Sequence, residues 1–373
     1  MTLGPPQDGW TLLTSYEPQA KSIEPHHFLF LIKTMKLASY QDGSKDGQLV
    51  VVSKDLQTAH FASAIAHTLQ DALDDWNFFS PQLQDLYDAL NQGRARYAFP
   101  FSPAMCRSPL PRAYQRVHAN AYQSQRLGHS PSELAVQPQM MFGSSTRLMG
   151  ALEDVRLQHA TGFFDFESEI TVITDEIEQG VSELDAIQGV RLLMLSCAWT
   201  MHSQGDPLEQ AQTSLAPMIE KPFSSFGPVA VTPDELGEAW SAGRVHLTLE
   251  SRVNDKRIGL NECGQDMDFH FGQLMAAFCA HRPMAAGTIL TTGAVCNAGV
   301  LQGHDWVWPH GVSCLSQKRA IEARTQGQAH TPYLKARDKV HIELKAKNGH
   351  PLMGAIEQYL VSDGDEDGAQ GHH

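Results

Sequence analysis

The pair Glu167 and Glu169 is the first candidate for chemistry and lies within DFESEITVIT, residues 165–174. The β-branched residues that follow predict a strand, and residues two apart on a strand point to the same face. Two such carboxylates repel each other unless a positive charge lies between them. A hard divalent cation would supply that charge, because Mg²⁺ and Ca²⁺ prefer oxygen ligands. The pattern leaves one alternative open, a solvated strand face with two exposed glutamates.

Other candidate sites carry weaker signals. The segment HDWVWPH, residues 304–310, holds two histidines and one aspartate, and its composition favours a loop with aromatic anchors over a metal site. None of the six cysteines forms a C-x-x-C pair, which argues against zinc and redox motifs of that type. Scattered cysteines in a chain of this length predict buried, reduced thiols. Phosphate-binding, dinucleotide-binding and nucleophile-elbow motifs are missing as well.

Composition and charge limit the possible partners. The chain has 373 residues, of which 42% are hydrophobic and 19% are charged, as in an ordinary globular protein. Its net charge of −14, without a basic run, argues against nucleic-acid binding. The apolar run at residues 28–32 is far shorter than the ~20 residues of a membrane-spanning helix, and it lacks the flanks of a signal peptide. We therefore predict a cytoplasmic protein without membrane contact.

A small N-terminal α/β domain is predicted for residues 35–103. Short strand patterns at 35–38 and 48–52, separated by the turn-rich QDGSKDG, predict a hairpin. Two amphipathic helices follow at 67–76 and 81–90, the second with Ser80 as its expected N-cap. Residues 1–34 are predicted to be an extension, either disordered or the product of a misassigned start before Met35.

A larger β-rich domain is predicted for residues 104–362. EITVIT and KVHIEL (339–344) show strand patterns, and 183–193 and 271–281 show helical ones. Strands outnumber helices without alternating regularly with them, so a doubly wound parallel sheet is not expected. The fold class is therefore mixed α/β and β-rich. The acidic, glycine-rich residues 363–373 are predicted to be a disordered tail.

Five segments in the same order and spacing resemble the fumarylacetoacetate hydrolase family in its bacterial two-domain form, over roughly residues 35–362. They are DFESEITVIT (165–174), LDAIQGVRLLMLSCAWT (184–200), KPFSSFGPVAVTPDEL (221–236), GTILTTGAVCNAG (287–299) and TPYLKARDKVHIEL (331–344). The resemblance implies a C-terminal catalytic fold of the family's kind, a mixed β-sheet roll, preceded by the small α/β domain. It also implies a homodimer.

The resemblance implies a fumarylacetoacetase-like hydrolase, which cleaves a C–C bond in a 1,3-dicarbonyl acid of the acylpyruvate type. In this family four carboxylates hold a divalent metal, by expectation Mg²⁺ or Ca²⁺, which polarises the substrate oxygens. A His–Glu pair activates water, and a lysine stabilises the charge that develops. Glu167 and Glu169 match two of the metal ligands, and Lys221 matches the lysine. The pattern alone would equally suit Lys221 as an exposed surface residue.

Several family positions carry other residues in this chain. Alignment on Tyr122, an expected substrate contact, places His118 where the first metal aspartate stands and Gln125 where the catalytic histidine stands. Ala198 takes the place of another metal aspartate. Two further positions are affected: His202, an expected substrate contact, replaces an arginine, and Gln317 falls near the glutamate that partners the catalytic histidine.

Two hypotheses follow from these replacements. In the first, His118, Glu167 and Glu169 form a rewired metal site, which suits Mn²⁺, Zn²⁺ or Fe²⁺ because these ions accept nitrogen. The chain would then remain a hydrolase of a keto-acid substrate, with Lys221, Gln125 and Gln317 as the catalytic set. In the second, hydrolysis is lost, because glutamine cannot take a proton from water near neutral pH. The chain would then be a catalytically impaired binding or partner subunit.

Overall fold

The computed structural model describes residues 34–122, 137–157, 163–202, 221–346 and 351–362. The strands up to residue 174 are β1 (Lys36–Tyr40), β2 (Gln48–Val52), β3 (Thr58–Phe61), β4 (Phe99–Pro100), β5 (Arg116–Ala119), β6 (Met140–Phe142), β7 (Leu148–Met149), β8 (Val155–Leu157) and β9 (Phe163–Thr174). The later strands are β10 (Val190–His202), β11 (Phe223–Phe226), β12 (Ala230–Val231), β13 (Trp240–Ser241), β14 (Arg244–Val245), β15 (Thr248–Val253), β16 (Lys256–Glu262), β17 (Thr288–Thr291), β18 (Val300–Gln302), β19 (Asp305–Val307), β20 (Lys339–Lys345) and β21 (Pro351–Ser362).

The helices are α1 (Leu69–Asp74), α2 (Trp76–Asn91), α3 (Glu183–Ala186), α4 (Phe271–Cys279) and α5 (Leu315–Gln326), with 3₁₀ turns at Pro103–Met105, Ile187–Gly189 and Pro233–Ala239. The predicted mixed α/β, strand-rich fold class is confirmed. Within the described residues, none of these helices is both long and apolar enough to cross a lipid bilayer. The predictions for residues 1–33 and 363–373 lie outside the described part of the chain.

A twelve-stranded sheet forms the centre of the fold, with β1 paired to β12 and with β10, β9, β17 and β5 following in that order. The predicted hairpin is its first part, since β1 and β2 pair antiparallel. Because β1 also pairs with β12, the sheet runs across residue 103 without a break. The domain boundary placed there from the sequence stays a prediction.

The two faces of this sheet carry different layers. On one face, Val51, Ile173 and Met194 belong to the apolar cluster that contains buried residues of α1 and α2. On the other face, Val172 and Leu193 belong to the cluster that contains the inner residues of the five-stranded sheet β16-β15-β20-β21-β8. Strands β9 and β10 are consequently buried on both faces, which is why any polar side chain on them needs a partner.

The start of α2 differs from the prediction. Ser80 does not cap the helix, because α2 begins at Trp76 and the Asp75 carboxylate accepts the backbone N–H of Phe78. Pro81 therefore lies inside the helix, in its second turn. Proline lacks an N–H donor, so the helix loses one backbone hydrogen bond at this position.

The helical pattern at residues 183–193 is the other prediction that the structure corrects. Helix α3 ends at Ala186, and strand β10 begins at Val190 after a 3₁₀ turn. The sequence of a strand that is buried on both faces is a continuous run of apolar residues. Such a run has no alternation of polar and apolar residues, so it cannot be distinguished from the sequence of a buried helix. The turn needs Gly189, because a Cβ atom there would lie 2.8 Å from the side chain of Ile177.

Candidate functional site

The two acidic residues of the DFESEITVIT segment lie on β9 and point to the same face of the sheet, as predicted. Both are buried: Glu167 is 7% exposed and Glu169 is fully enclosed. The alternative of a solvated strand face is therefore wrong. Carboxylates at such a depth require cationic or hydrogen-bonding partners.

A histidine reaches this pair from another strand. Strand β17 pairs with β9 on one side and with β5 on the other, and Thr291 is opposite both Thr171 and His118. The His118 ring is thereby placed between the carboxylates, with Nδ1 3.2 Å from Glu169 Oε1 and Nε2 3.7 Å from Glu167 Oε2. These three side chains can each offer one ligand atom within 4.8 Å of the others.

Lys221 completes the cluster from the segment that precedes β11. Its Nζ lies 2.6 Å from Glu167 Oε2, and its side chain is 12% exposed. The reading of Lys221 as an exposed surface lysine is therefore wrong. Four residues predicted from the sequence, His118, Glu167, Glu169 and Lys221, converge on one buried place. We call them the carboxylate cluster.

Burial and neighbouring charges determine the protonation states in the carboxylate cluster. Burial lowers the pKa of His118, and the positive charge of Lys221 lowers it further. The imidazole is therefore assigned as neutral, which is the form that binds metal ions. Burial raises the pKa of Glu169, but the interaction of its carboxylate with the His118 ring and the positive charge of Lys221 act more strongly in the opposite direction, so the net pKa is lowered.

Hydroxyl groups hold these side chains in place. The Ser196 hydroxyl on β10 donates to Glu169 Oε2 at 3.3 Å and lies 2.5 Å from the Thr171 hydroxyl. The Thr291 hydroxyl lies 3.1 Å from Nδ1 of His118. Sequence reasoning did not single out Ser196, Thr171 or Thr291. Only their positions could have indicated them from the sequence. Thr171 is two residues from Glu169 on the same strand, and Ser196 and Thr291 lie directly opposite Glu169 and His118.

The position where a further metal aspartate was expected carries a methyl group. Ala198 on β10 is directly opposite Glu167 and is fully buried. Its side chain offers no ligand atom. The carboxylate cluster therefore has two oxygen-donating side chains and one nitrogen-donating side chain from the described residues.

Asp165 points to the same face of β9 as Glu167, but it binds the backbone of a helix. Its carboxylate accepts the backbone N–H groups of Leu315 and Ser316, each at 2.8 Å. Cys314, the N-cap residue of α5, makes no side-chain capping bond. Asp165 therefore caps α5 from a distant strand, which satisfies donors that the helix leaves open. The sequence pattern placed Asp165 in the motif without revealing this role.

Three of the other predicted site residues make contacts elsewhere or are simply buried, and the fourth lies outside the described residues. His202 Nε2 is 3.8 Å from Asp165 Oδ2, and Gln317 is buried in the first turn of α5. Tyr122 is fully buried, and its hydroxyl donates to the Cys263 carbonyl at 2.5 Å. Gln125 lies outside the described residues. The roles given to these four side chains stay predictions.

The structure also describes the two weaker candidates from the sequence, the segment at 304–310 and the cysteines. The segment at 304–310 includes the hairpin strand β19, and His310 Nδ1 lies 3.2 Å from the Leu260 carbonyl oxygen. Among the described residues, the only group of three metal-ligating side chains is His118, Glu167 and Glu169. All six cysteines are buried free thiols, as predicted. Burial raises the pKa of Cys106 to about 12, so that thiol is unreactive near neutral pH.

Sequence comparison identifies the class of protein. Residues 112–360 match the fumarylacetoacetate (FAA) hydrolase C-terminal family, and residues 35–112 match fumarylacetoacetase N-terminal domain 2. The chain belongs to the fumarylacetoacetate hydrolase family. Comparison with curated proteins gives no significant match.

Solved structures support the same fold. A probable 2-hydroxyhepta-2,4-diene-1,7-dioate isomerase from Mycobacterium abscessus is 17% identical, with a TM-score of 0.61, covering 88% of this chain and 99% of that one. Maleylpyruvate hydrolase from Sphingobium is 15% identical, with a TM-score of 0.59, covering 88% and 100%. Its crystal structure with manganese(II) and pyruvate is 16% identical, with a TM-score of 0.58 and coverage of 88% and 99%. By name, these neighbours are a probable isomerase and a hydrolase.

Proposed function

We propose that this chain is a metal-dependent hydrolase that cleaves a C–C bond in an acylpyruvate-type acid. The observation that carries the proposal is the convergence of His118, Glu167, Glu169 and Lys221 in one buried cluster, with the ligand atoms of the first three within 4.8 Å. Two neighbouring carboxylates are rarely buried in a protein unless a cation lies beside them. The named activities of the structural neighbours, a maleylpyruvate hydrolase among them, support the proposed substrate class.

The donor set fits a divalent ion that accepts nitrogen. Two carboxylates and one neutral imidazole resemble the facial arrangement used for transition-metal ions, with positions open for substrate. A methyl group at Ala198 leaves this side of the site without a further hard ligand. We therefore propose Mn²⁺, Fe²⁺ or Zn²⁺ in preference to Mg²⁺ or Ca²⁺.

Each residue then has a defined task. When bound, the ion polarises the two carbonyl oxygens of a 1,3-dicarbonyl acid. Lys221 holds Glu167 and can donate a hydrogen bond to an oxygen on which negative charge develops. Ser196 and Thr291 keep Glu169 and His118 oriented through their hydroxyl groups.

One observation favours a second candidate, binding without turnover. Ala198 faces Glu167 where a ligand was expected, and Gln125 and Gln317 stand at the positions predicted for the proton-transferring pair. Glutamine can orient water but cannot take its proton. The chain would in this case bind a keto acid, or serve as a partner subunit, without breaking the C–C bond.

The test combines metal binding with an assay of C–C cleavage. Mn²⁺ affinity is measured by electron paramagnetic resonance for the wild-type protein and for Glu169→Gln, a variant of the same size without the charge. We expect the variant to bind at least about 30-fold more weakly, the size of effect seen when charged ligands are neutralised. Equal affinities of the wild type and the variant for Mn²⁺ would show that Glu169 does not bind the metal ion, which contradicts the proposed site.

Hydrolysis of acetylpyruvate by the Mn²⁺-loaded protein then separates the two candidates. Loss of the enol absorbance, with pyruvate and acetate formed in equal amounts, supports the hydrolase. Tight binding of acetylpyruvate by calorimetry without product supports the non-catalytic candidate.

A further inference from the structure

A buried arginine, Arg116, lies close enough to the carboxylate cluster to interact with Glu169 and Glu167 electrostatically. Arg116 and His118 are two residues apart on β5 and point to the same face of the sheet. Arg116 is 1% exposed. Within the part of the chain that the structure describes, none of its three guanidinium nitrogens has a hydrogen-bond partner.

Among the described residues, the surroundings of Arg116 give its guanidinium no hydrogen-bond acceptor. Its neighbours across the sheet are Ile289 on β17 and, beyond it, Ile173 on β9. The carboxylates that act on it electrostatically are Glu169 and Glu167, which His118 and Lys221 already contact. Arginine stays protonated in proteins, and a buried, uncompensated guanidinium strongly destabilises a fold. The N–H donors of this guanidinium can therefore bind an anionic group as a partner.

The absence of a side chain at Gly143 leaves space for the guanidinium group of Arg116. Gly143 follows β6 and donates its N–H to the Arg116 carbonyl. A Cβ atom at Gly143 would overlap Nη1 of Arg116 and would lie 3.0 Å from its Cζ. Gly143 does not have the positive φ that favours glycine, so the backbone conformation gives no reason for glycine. The residue leaves room for the guanidinium at this spot.

We infer that Arg116 binds a carboxylate group of the substrate, and this inference rests on the proposed function. A planar guanidinium can donate two parallel hydrogen bonds to a carboxylate, which neither Lys221 nor a metal ion can do. Arg116 and Lys221 together balance the charges of Glu167 and Glu169. A divalent ion would then leave a net positive site, which suits an acid that also carries negative charge on its dicarbonyl oxygens.

The test uses pyruvate as the probe, in metal-free and in Mn²⁺-loaded protein. The variants are Arg116→Met, which keeps an apolar stem of similar length, and Arg116→Lys, which keeps the charge without the planar fork. Lys36→Met is the matched control, because Lys36 is an equally buried cation on the same sheet, with a hydrogen bond to the Leu352 carbonyl. Calorimetry gives the affinities for pyruvate, and thermal unfolding gives the stability of the protein without ligand.

We expect Arg116→Met to weaken pyruvate binding at least about 30-fold, in keeping with the loss of charge-assisted hydrogen bonds. Arg116→Lys should recover part of the affinity, and Lys36→Met should leave it unchanged. Without ligand, Arg116→Met should unfold at the same or a higher temperature than the wild type, because it removes a buried charged group whose N–H donors have no acceptor among the described residues. The affinity for Mn²⁺ should stay equal or increase, since a nearby cation is lost.

Three results would overturn the inference. Unchanged pyruvate affinity in Arg116→Met would show that the guanidinium does not contact the acid. A lower unfolding temperature of that variant, with unchanged stabilisation by pyruvate, would show a structural role. If inorganic phosphate binds as tightly as pyruvate in an Arg116-dependent way, the carboxylate assignment is wrong. A wild-type protein that binds no Mn²⁺ contradicts the proposed function instead, and the metal-free pyruvate measurement still decides the role of Arg116.

Discussion

Ala198 is directly opposite Glu167 on neighbouring antiparallel strands, so a methyl group faces one of the two buried carboxylates of the cluster. Opposite residues in such a pair have Cβ atoms about 5 Å apart. A carboxylate at position 198 would therefore reach an ion held by Glu167 and Glu169. The absence of that carboxylate is the reason to expect a nitrogen-tolerant ion in this site.

Restoring a carboxylate should change the metal preference. We expect Ala198→Asp to bind Mg²⁺ at least about tenfold more tightly than the wild type, because it adds a hard oxygen ligand. Ala198→Asn is the control of equal size without the charge, and it should leave the affinity nearly unchanged. Isothermal titration calorimetry measures both. An equal gain in the two variants would show that side-chain size, and not charge, governs binding.

Removing Lys221 should make stability depend on metal. Lys221→Met takes the cation away from Glu167 and leaves two buried carboxylates to repel each other. We expect the metal-free protein to lose about 3 kcal/mol in free energy of unfolding, the range seen when one partner of a buried ion pair is removed. Saturating Mn²⁺ should recover most of that loss. Urea unfolding with and without Mn²⁺ provides the measurement.

The matched control for this experiment is Lys339→Met. Lys339 Nζ forms a 2.6 Å ion pair with the exposed Asp255, far along the sequence from the cluster residues. This change should leave the stability and its dependence on Mn²⁺ unaffected. If Lys221→Met behaves in the same way as Lys339→Met, Lys221 does not balance the charge of the cluster.

Local patterns explain which parts of the site could be predicted. The shared face of Glu167 and Glu169 follows from the two-residue period of a strand, which is a property of neighbouring residues. The predicted strands at 169–174 and 339–344 form parts of β9 and β20 for the same reason. The family resemblance added His118 and Lys221, which no local pattern connects to β9.

Contacts between distant segments explain what could not be predicted. Asp165 and Leu315 are separated by 150 positions, and only the packed structure shows that one caps the helix of the other. That Arg116 finds no hydrogen-bond partner among the described residues likewise depends on the segments that surround it in space. Strand β10 was partly predicted as a helix because a strand buried on both faces carries no alternation to reveal it.

Lys36 should give the stability a measurable pH dependence. Burial lowers the pKa of this lysine from 10.5 to about 8, although the negative charge of Glu235 acts in the opposite direction. Between these two values the unfolded chain binds more protons than the folded one, so stability rises with pH. We expect a gain of about 3 kcal/mol over this interval, relative to Lys36→Met. Chemical unfolding of both proteins at pH values from 7 to about 11 measures the difference. Parallel stability curves for the two proteins would contradict the low pKa.

Asp165 should prove to be a structural residue, although it belongs to the same acidic motif as Glu167 and Glu169. Its carboxylate accepts the N–H groups of Leu315 and Ser316 at the start of α5, so Asp165→Ala leaves two buried donors without an acceptor. We expect a loss of about 2 kcal/mol in free energy of unfolding and unchanged Mn²⁺ affinity. Asp165→Asn keeps one acceptor oxygen and should lose less. If Asp165→Ala instead weakens Mn²⁺ binding as strongly as Glu169→Gln while the stability stays constant, the carboxylate belongs to the metal site and α5 is capped by other means.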